Sequence, residues 1–299
     1  MAKINDKVNF DENSLNILEG VLGKGGLAVV KDATYNEIPV AVKEAKEQSN
    51  NAVILREYHY LNDLQKSNVA GVPRVYFLFR NDGKQSFIMK KLGESLLSIV
   101  ERKPDQIFRW DVTMVIAMQV LQRLKAIHNC GILHNDIKAD NLLVGKEDSK
   151  TVYLVDFGYA SRYKVNGKHV ENAKTNEILG TWRFCSINSL EGRTLSRRDD
   201  LESLAYVLLK LRTGKLPWDS LMSSYNLSKE IKKKRLIQRK NWTAKEICKG
   251  YHGCDEIEEF LEEVKQLKFN ETPNYDKYCK IFKKRFKQKR YNAGDIEFR

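Results

Sequence analysis

The hydrophobic pattern changes period partway along the chain, and that change limits the fold more than any one motif. In the first part apolar and polar residues alternate, as in LNILEGVLGKGGLAVVKDATY, and the β-branched run IPVAVKEA follows a turn. A period of two marks strands whose one face meets a core. NNAVILREYHYLNDLQ then shows helical spacing at Ile54, Tyr58 and Leu61, and PRVYFLFRNDGKQSFIMKKL reads as a hairpin turning at Asn81-Asp82-Gly83. From FRWDVTMVIAMQVLQRLKAIHNCG onward the period is helical. Ala117, Val120, Leu121, Leu124 and Ile127 form one stripe, and Cys130-Gly131 suits a helix end. The expected architecture is α+β and bilobal, a small strand-rich lobe with one helix and a larger helical lobe, with a cleft between. There is no repeat, low-complexity tract or Pro-rich linker, so the lobes are expected to pack as one unit.

Composition removes several classes. With 42% hydrophobic and 30% charged residues the 299-residue chain is not a disordered polymer. Its start lacks the apolar core of a signal peptide, and no uncharged apolar run reaches membrane-spanning length. Five cysteines, odd in number and without a C-x-x-C pair, point to a reducing compartment, cytoplasm and/or nucleus. Cys248-x-x-x-His252-x-Cys254 lacks a fourth ligand at suitable spacing for zinc. The net charge of +13 is concentrated in KEIKKKRLIQRK (229–240) and KIFKKRFKQKR (280–290), with the acidic DEIEEFLEEV between them. Such a surface favours polyanions, from nucleic acid to acidic or phosphorylated proteins, although solvated helix faces also account for such runs.

Four short motifs follow in an order that specifies one chemistry. LGKGGLAVV (22–30) fits G-x-G-x-x-G-x-V at Gly23, Gly25 and Val30, with Ala28 at the third glycine. Glycines there let backbone N–H groups approach phosphate oxygens, and Ala28 would add a methyl under them. VAVK supplies Lys43, an ammonium able to pair two phosphates, with Glu57 on the following helix as its carboxylate. HNDIKADN (134–141) holds Asp136, Lys138 and Asn141, and VDFG places Asp156 after a strand. In this reading Asp136 accepts the proton of an acceptor hydroxyl and Lys138 stabilises the transferring phosphoryl group. Asn141 and Asp156 hold Mg²⁺ on ATP. Each motif is weak alone; the ordered set is not.

On these residues the chain resembles a eukaryotic-type protein kinase over almost its whole length, and Lys138 resembles the Ser/Thr-specific pattern. The segment LGTWRFCSINSLEGRTLSRRDDLESLAYVLLKLRTGKLPW (179–218) is similar to the casein kinase I group. It carries Ser186-Ile187-Asn188 in place of the usual A-P-E, and Ser196 to Leu204 matches a further group-specific stretch. CKGY and TPNYDKY agree. The resemblance implies one kinase domain over 1–299, with an N-lobe to 89, a hinge at 90–93 and a C-lobe from 94. It implies an ATP site from Leu22, Gly23, Lys24, Gly25, Val30, Ala41, Lys43, Glu57, Met89 (the gatekeeper), Leu92 and Leu143. Asp200 is expected to brace the catalytic loop from below. Arg183 and one lysine of Lys232–Lys234, taken as Lys233, are implied as an anion pocket selecting acidic or pre-phosphorylated protein substrates for a monomeric enzyme. Asn135 stands where the casein kinase I branch commonly has an Arg that grips an activation-loop phosphate; vaccinia-related kinases also lack it. Activity is therefore expected to be constitutive. A pseudokinase scaffold of the same fold is the alternative, and it would be favoured by loss of Lys43, Asp136, Asn141 or Asp156, all of which are present. A nucleic-acid module lacks a reading motif, so only non-specific contact is expected of it.

Overall fold

A computed structural model describes residue 4, residues 10–175, 177–223 and 227–288, and residue 298. β1 (Leu15–Lys24), β2 (Ala28–Tyr35) and β3 (Ile38–Ala45) precede α1 (Asn51–Lys66), and β4 (Val75–Asn81) and β5 (Lys84–Lys90) complete an antiparallel sheet ordered β1-β2-β3-β5-β4. The β4–β5 turn has Asp82 at φ 48° and Gly83 at φ 74°. Two successive positive φ values suit a tight hairpin, so the Asp-Gly pair does what its chemistry predicts.

Alternation along the strands gives the sheet two apolar faces. One joins Phe87 and Val75 to Ile54, Leu61 and Leu64 of α1. The other collects Ala33, Tyr35, Val40, Val42, Phe77 and Ile88, and Phe10 from the N-terminal segment covers it, its ring 4.7 Å from that of Phe79. On α1 the buried positions are Ile54, Glu57, Leu61 and Leu64. A carboxylate therefore sits within an apolar stripe, and the site explains why.

The large lobe begins with α2 (Leu96–Glu101) and α3 (Trp110–Asn129). The short strands β6 (Ile132–Leu133), β7 (Leu142–Val144), β8 (Val152–Leu154) and β9 (Ser161–Arg162) lead to the hairpin β10 (Lys164–Val165) and β11 (Lys168–His169). Then come α4 (Ile187–Leu190), α5 (Arg197–Thr213), α6 (Asp219–Met222), α7 (Lys229–Ile237), α8 (Ala244–Cys248), α9 (Asp255–Lys265) and α10 (Tyr275–Gln288). The predicted stripe of α3 is fully buried, but Val112, Val115 and Met118 on its other side are buried as well. α3 is enclosed because α5, α10 and β8 all pack on it, which one amphipathic stripe cannot show. The lobes meet at the strap 90–93, where Gly93 N donates to Val144 O (2.8 Å) and Val144 N to Glu94 O (2.9 Å). A Cβ on Gly93 would lie 3.0 Å from Val144 O, so this close approach needs glycine.

Candidate active site

The cleft is organised by a buried chain of charges. Lys43 on β3 lies 2.7 Å from Glu57 Oε1 and 2.6 Å from its Oε2, and 2.7 Å from Asp156 Oδ1. Burial pushes the Lys43 ammonium down, but the charges of Glu57 and Asp156 outweigh this and hold it above the ordinary lysine range. Burial pushes the Glu57 carboxyl up to about 6 against the opposing pull of Lys43, so it is ionised at neutral pH. For Asp156 the balance is reversed: burial raises it, yet Lys43 brings it down to about 2. Glu57 Oε1 also accepts from Phe157 N (3.1 Å), and Phe157 is fully buried. One carboxylate thus fixes both the lysine and the backbone beside Asp156. An unpaired charge in this position would cost about 3–5 kcal/mol, which is why Glu57 occupies a core position only opposite Lys43.

The loop 134–141 is fastened from below and from the side. The acidic first turn of α5 is set by Asp199, whose Oδ2 accepts from Ser196 N at 2.7 Å, and the next residue points under the loop. Asp200 Oδ2 accepts from His134 N (2.8 Å) and meets His128 Nε2 (2.9 Å), while Oδ1 accepts from Asn135 N (2.8 Å). Burial would raise the Asp200 carboxyl, but the His128 bond and the neighbouring donors leave it below the usual range. His134 Nδ1 accepts from Asp136 N, and its Nε2 lies 2.9 Å from Val155 O. That pattern fixes the neutral tautomer with the proton on Nε2. The loop rises to Asp136, buried at 2% exposure, whose Oδ1 accepts from Thr181 N (2.9 Å) and Thr181 Oγ1 (2.8 Å). Lys138 Nζ lies 2.7 Å from Asp136 Oδ2; burial lowers that ammonium and Asp136 more than restores it, above the ordinary value. Asn141 Nδ2 donates to Asp136 O (2.9 Å) and Oδ2 (3.2 Å).

Asn135 ties this loop to the segment after Asp156. Its backbone is left-handed (φ 65°), which Asn tolerates better than most residues, and its Nδ2 donates to Tyr159 O and Ser161 Oγ, both at 2.9 Å. Farther on, Gly180 (φ 87°) passes so close that a Cβ there would stand 2.4 Å from Asn135 O.

The chain offers two hard oxygens suited to Mg²⁺. Asp156 spends Oδ1 on Lys43, keeps a side chain 38% exposed, and its Oδ2 accepts from no described residue. Asn141 donates through Nδ2, and its Oδ1 likewise accepts from no described residue. An ionised carboxylate and an amide oxygen beside the Asp136 carboxylate fit that ion. The glycine turn fits phosphate. A Cβ on Gly26 would meet nothing within 4 Å, and on Gly25 only Ala28 O at 3.7 Å, so the surface there is open to a ligand. Ala28 does not crowd it: the residue is buried in the core and paired with Ala45, so its methyl turns away from the turn, contrary to the sequence expectation.

The other predicted residues divide. Gly23 pairs with Val30 and Val30 with Lys43, so these share the cleft face of the sheet; Ala41 pairs with Met89 one step nearer the strap, where Leu92 is half-buried. Leu143 is half-buried on β7 and bridges to Ser95, opposite the sheet. Leu22 and Lys24 are exposed on β1. Arg183 Nε lies 3.1 Å from Asp219 Oδ1, a carboxylate already paired with Lys210. In the 232–234 run it is Lys232 that reaches inward, to Met222 O at 3.3 Å. Sequence reasoning passed over Thr181, His134 and Gly180. Their partners lie in other motifs, Thr181 being 45 positions from Asp136, and no local pattern announces such a contact.

Comparison with known proteins follows the geometry. Residues 17–284 match the protein kinase domain family. The chain is similar to Casein kinase I homolog 1 of Schizosaccharomyces pombe, at 31% identity over 88% of this chain and 59% of that protein. It is similar to a probable casein kinase I homolog of Encephalitozoon cuniculi, at 30% identity over 85% and 79%. A probable serine/threonine-protein kinase of Fowlpox virus is 31% identical over 89% and 91%. The chain thus spans less than two thirds of the length of the fission-yeast relative and most of the length of the other two.

Proposed function

This chain belongs to the protein kinase family, in its casein kinase I group, and from that premise we propose that it transfers the γ-phosphoryl group of ATP to Ser or Thr of protein substrates. The observation that carries the reading is the closed set of contacts Lys43–Glu57–Asp156 and Lys138–Asp136–Thr181. A pseudokinase has no need to hold all six groups in register. Lys43, held protonated, binds phosphate oxygens of ATP. Asp136 orients the acceptor hydroxyl and takes its proton. Lys138 neutralises charge as the phosphoryl group moves, and Thr181 keeps the Asp136 carboxylate aimed. Asp156 and Asn141 would hold Mg²⁺, which when bound neutralises charge on the phosphates.

We further read the enzyme as constitutively active. Asn135 reaches Tyr159 and Ser161 directly, so the start of the activation segment is tethered without a phosphate. Acidic or pre-phosphorylated substrates are favoured through Arg183, whose side chain is one third exposed beside the end of that segment. A single kinase domain in the cytoplasm or nucleus remains part of this reading. In a radiolabelled ATP assay with Mg²⁺ and casein, Asp136→Asn and Asp156→Asn should stay folded and lose at least about a hundredfold in kcat, on the order of 3 kcal/mol. Full turnover in either variant removes the role assigned to that residue.

A further inference from the structure

Away from the cleft, a groove of about 680 Å³ runs between α6 and α7. Its floor is apolar: Trp218 is buried, Leu221 and Trp242 are half-buried, and Ile231 is 44% exposed. Lys234 and Arg235, both exposed, stand on its rim. The α7 stretch carries five cations (Lys229, Lys232, Lys233, Lys234, Arg235) against one acid, Glu230. An exposed β-branched side chain lining a groove with two tryptophans, on a helix whose other exposed residues are all charged, is unusual for a merely solvated face.

Arg239 supplies an independent observation. It lines the same groove at 1% exposure, with its guanidinium 4.2 Å from the Trp218 ring centre and 5.0 Å from that of Tyr206. Nε donates to Leu236 O and Nη2 to Cys185 O, but Nη1 has no acceptor among the described residues. No carboxylate of the described residues pairs with it: Glu202 Oε1, the acidic group of this neighbourhood, is taken by Tyr206 OH and Ile187 N. Buried charges are ordinarily paired, so this guanidinium leaves positive potential beneath the groove. The floor also touches the segment leading to the reaction site, since Trp218 Nε1 donates to Arg183 O (2.8 Å) and Arg239 holds Cys185 O.

We propose that this groove docks an acidic peptide segment of a protein substrate. A bulky apolar side chain of that segment seats among Trp218, Leu221, Ile231 and Trp242, and its carboxylates face Lys234 and Arg235, with the buried Arg239 charge adding positive potential from beneath. The occupant follows from complementarity: an apolar floor excludes a plain polyanion, and a cationic rim excludes a plain hydrophobic helix. Because the floor is bonded to residues 183 and 185, a docked segment is held beside the acceptor site. Docking would then raise the effective concentration of the acceptor residue without altering the chemistry. As a substrate site, the groove rests on the kinase reading above.

The test uses the full chain and two labelled probes read by fluorescence anisotropy. One is a peptide of Asp and Glu with a Phe and a Leu, lacking Ser, Thr and Tyr; the other is poly-Glu of equal length. The first should bind, and poly-Glu should bind at least about tenfold more weakly. Ile231→Asp and the double change Lys234→Glu with Arg235→Glu, all at exposed positions, should each weaken the first probe about tenfold or more. Both variants should raise KM for casein and leave kcat and the kinetics of a short Ser peptide unchanged. Equal binding of both probes, or binding and casein KM untouched by either variant, would overturn the proposal and reduce the groove to a basic surface. Anisotropy reads binding without turnover. A chain inert toward every peptide would therefore count against the kinase reading, while the probe results still decide this one.

Discussion

Replacing Asn135 by Ala tests whether the activation segment is tethered by this amide. Two hydrogen bonds would go, to Tyr159 O and Ser161 Oγ at 2.9 Å each, from a residue only 7% exposed. A buried neutral hydrogen bond contributes about 0.5–1.5 kcal/mol net, so their loss costs about 1–3 kcal/mol. The backbone there has φ 65°, and Ala pays about 1 kcal/mol more than Asn in that region. The sum is about 2–4 kcal/mol. Asn135→Gly loses the same bonds but none of the backbone ease, so it should be less destabilised than Ala by about 1 kcal/mol. The assay pairs the urea midpoint with kcat/KM on a short Ser peptide, all three proteins treated with phosphatase. The expected order is wild type, then Gly, then Ala, with Ala losing at least about fivefold in kcat/KM. Wild-type kinetics and midpoint in the Ala variant would refute the tether. A Gly variant worse than Ala would refute the backbone part of the sum.

Phosphatase treatment of the wild type itself should leave turnover in place; an inert dephosphorylated protein that recovers on phosphorylation within 159–185 would contradict the reading of Asn135. Activity should fall below about pH 6, because burial has raised Glu57 to about 6 and its protonation removes the charge that positions Lys43. Glu57→Gln should be weakly active and lack that limb in its kcat/KM profile; an unchanged limb assigns it to another group. The stability signs are opposite for the two carboxylates. Glu57, raised from 4.5, makes stability fall as pH rises toward 6, whereas Asp156, lowered from 3.8, contributes stability that is lost as pH falls toward 2. Urea midpoints of wild type and Glu57→Gln across pH 4 to 7 (a range of about three units) measure the first. Matched peptides with and without a phosphoserine before the acceptor should differ in kcat/KM, less so at high salt and less so in Arg183→Ala; equal use by the wild type would dismiss Arg183 as a selector.

The sequence, read alone, is sufficient for the lobes and for the residues gathered in the cleft, because both leave local marks. Strand alternation and the 3.6-residue stripe of α3 follow from which faces must leave water, and the Asp82-Gly83 turn follows from backbone sterics. Phosphoryl transfer needs a base, cations and oxygen ligands in an order along the chain, so Lys43, Asp136, Lys138, Asn141 and Asp156 are legible at once. What supports those groups is legible only where the resemblance reaches: it implied Asp200 under the loop, and Asp200 accepts from His134 N and Asn135 N. Thr181 on Asp136 and Asn135 on Ser161 join residues 45 and 26 positions apart. Nothing in a local pattern encodes such pairings. The anion pocket shows the same boundary from the other side: the resemblance implied Arg183 and the lysine run, but did not show that Asp219 pairs with Arg183. Charge and hydrophobic period are properties of residues and their near neighbours, so the sequence determines them. Which donor finds which acceptor depends on how α1, α5 and the loops close over one another, and packing in three dimensions alone decides that.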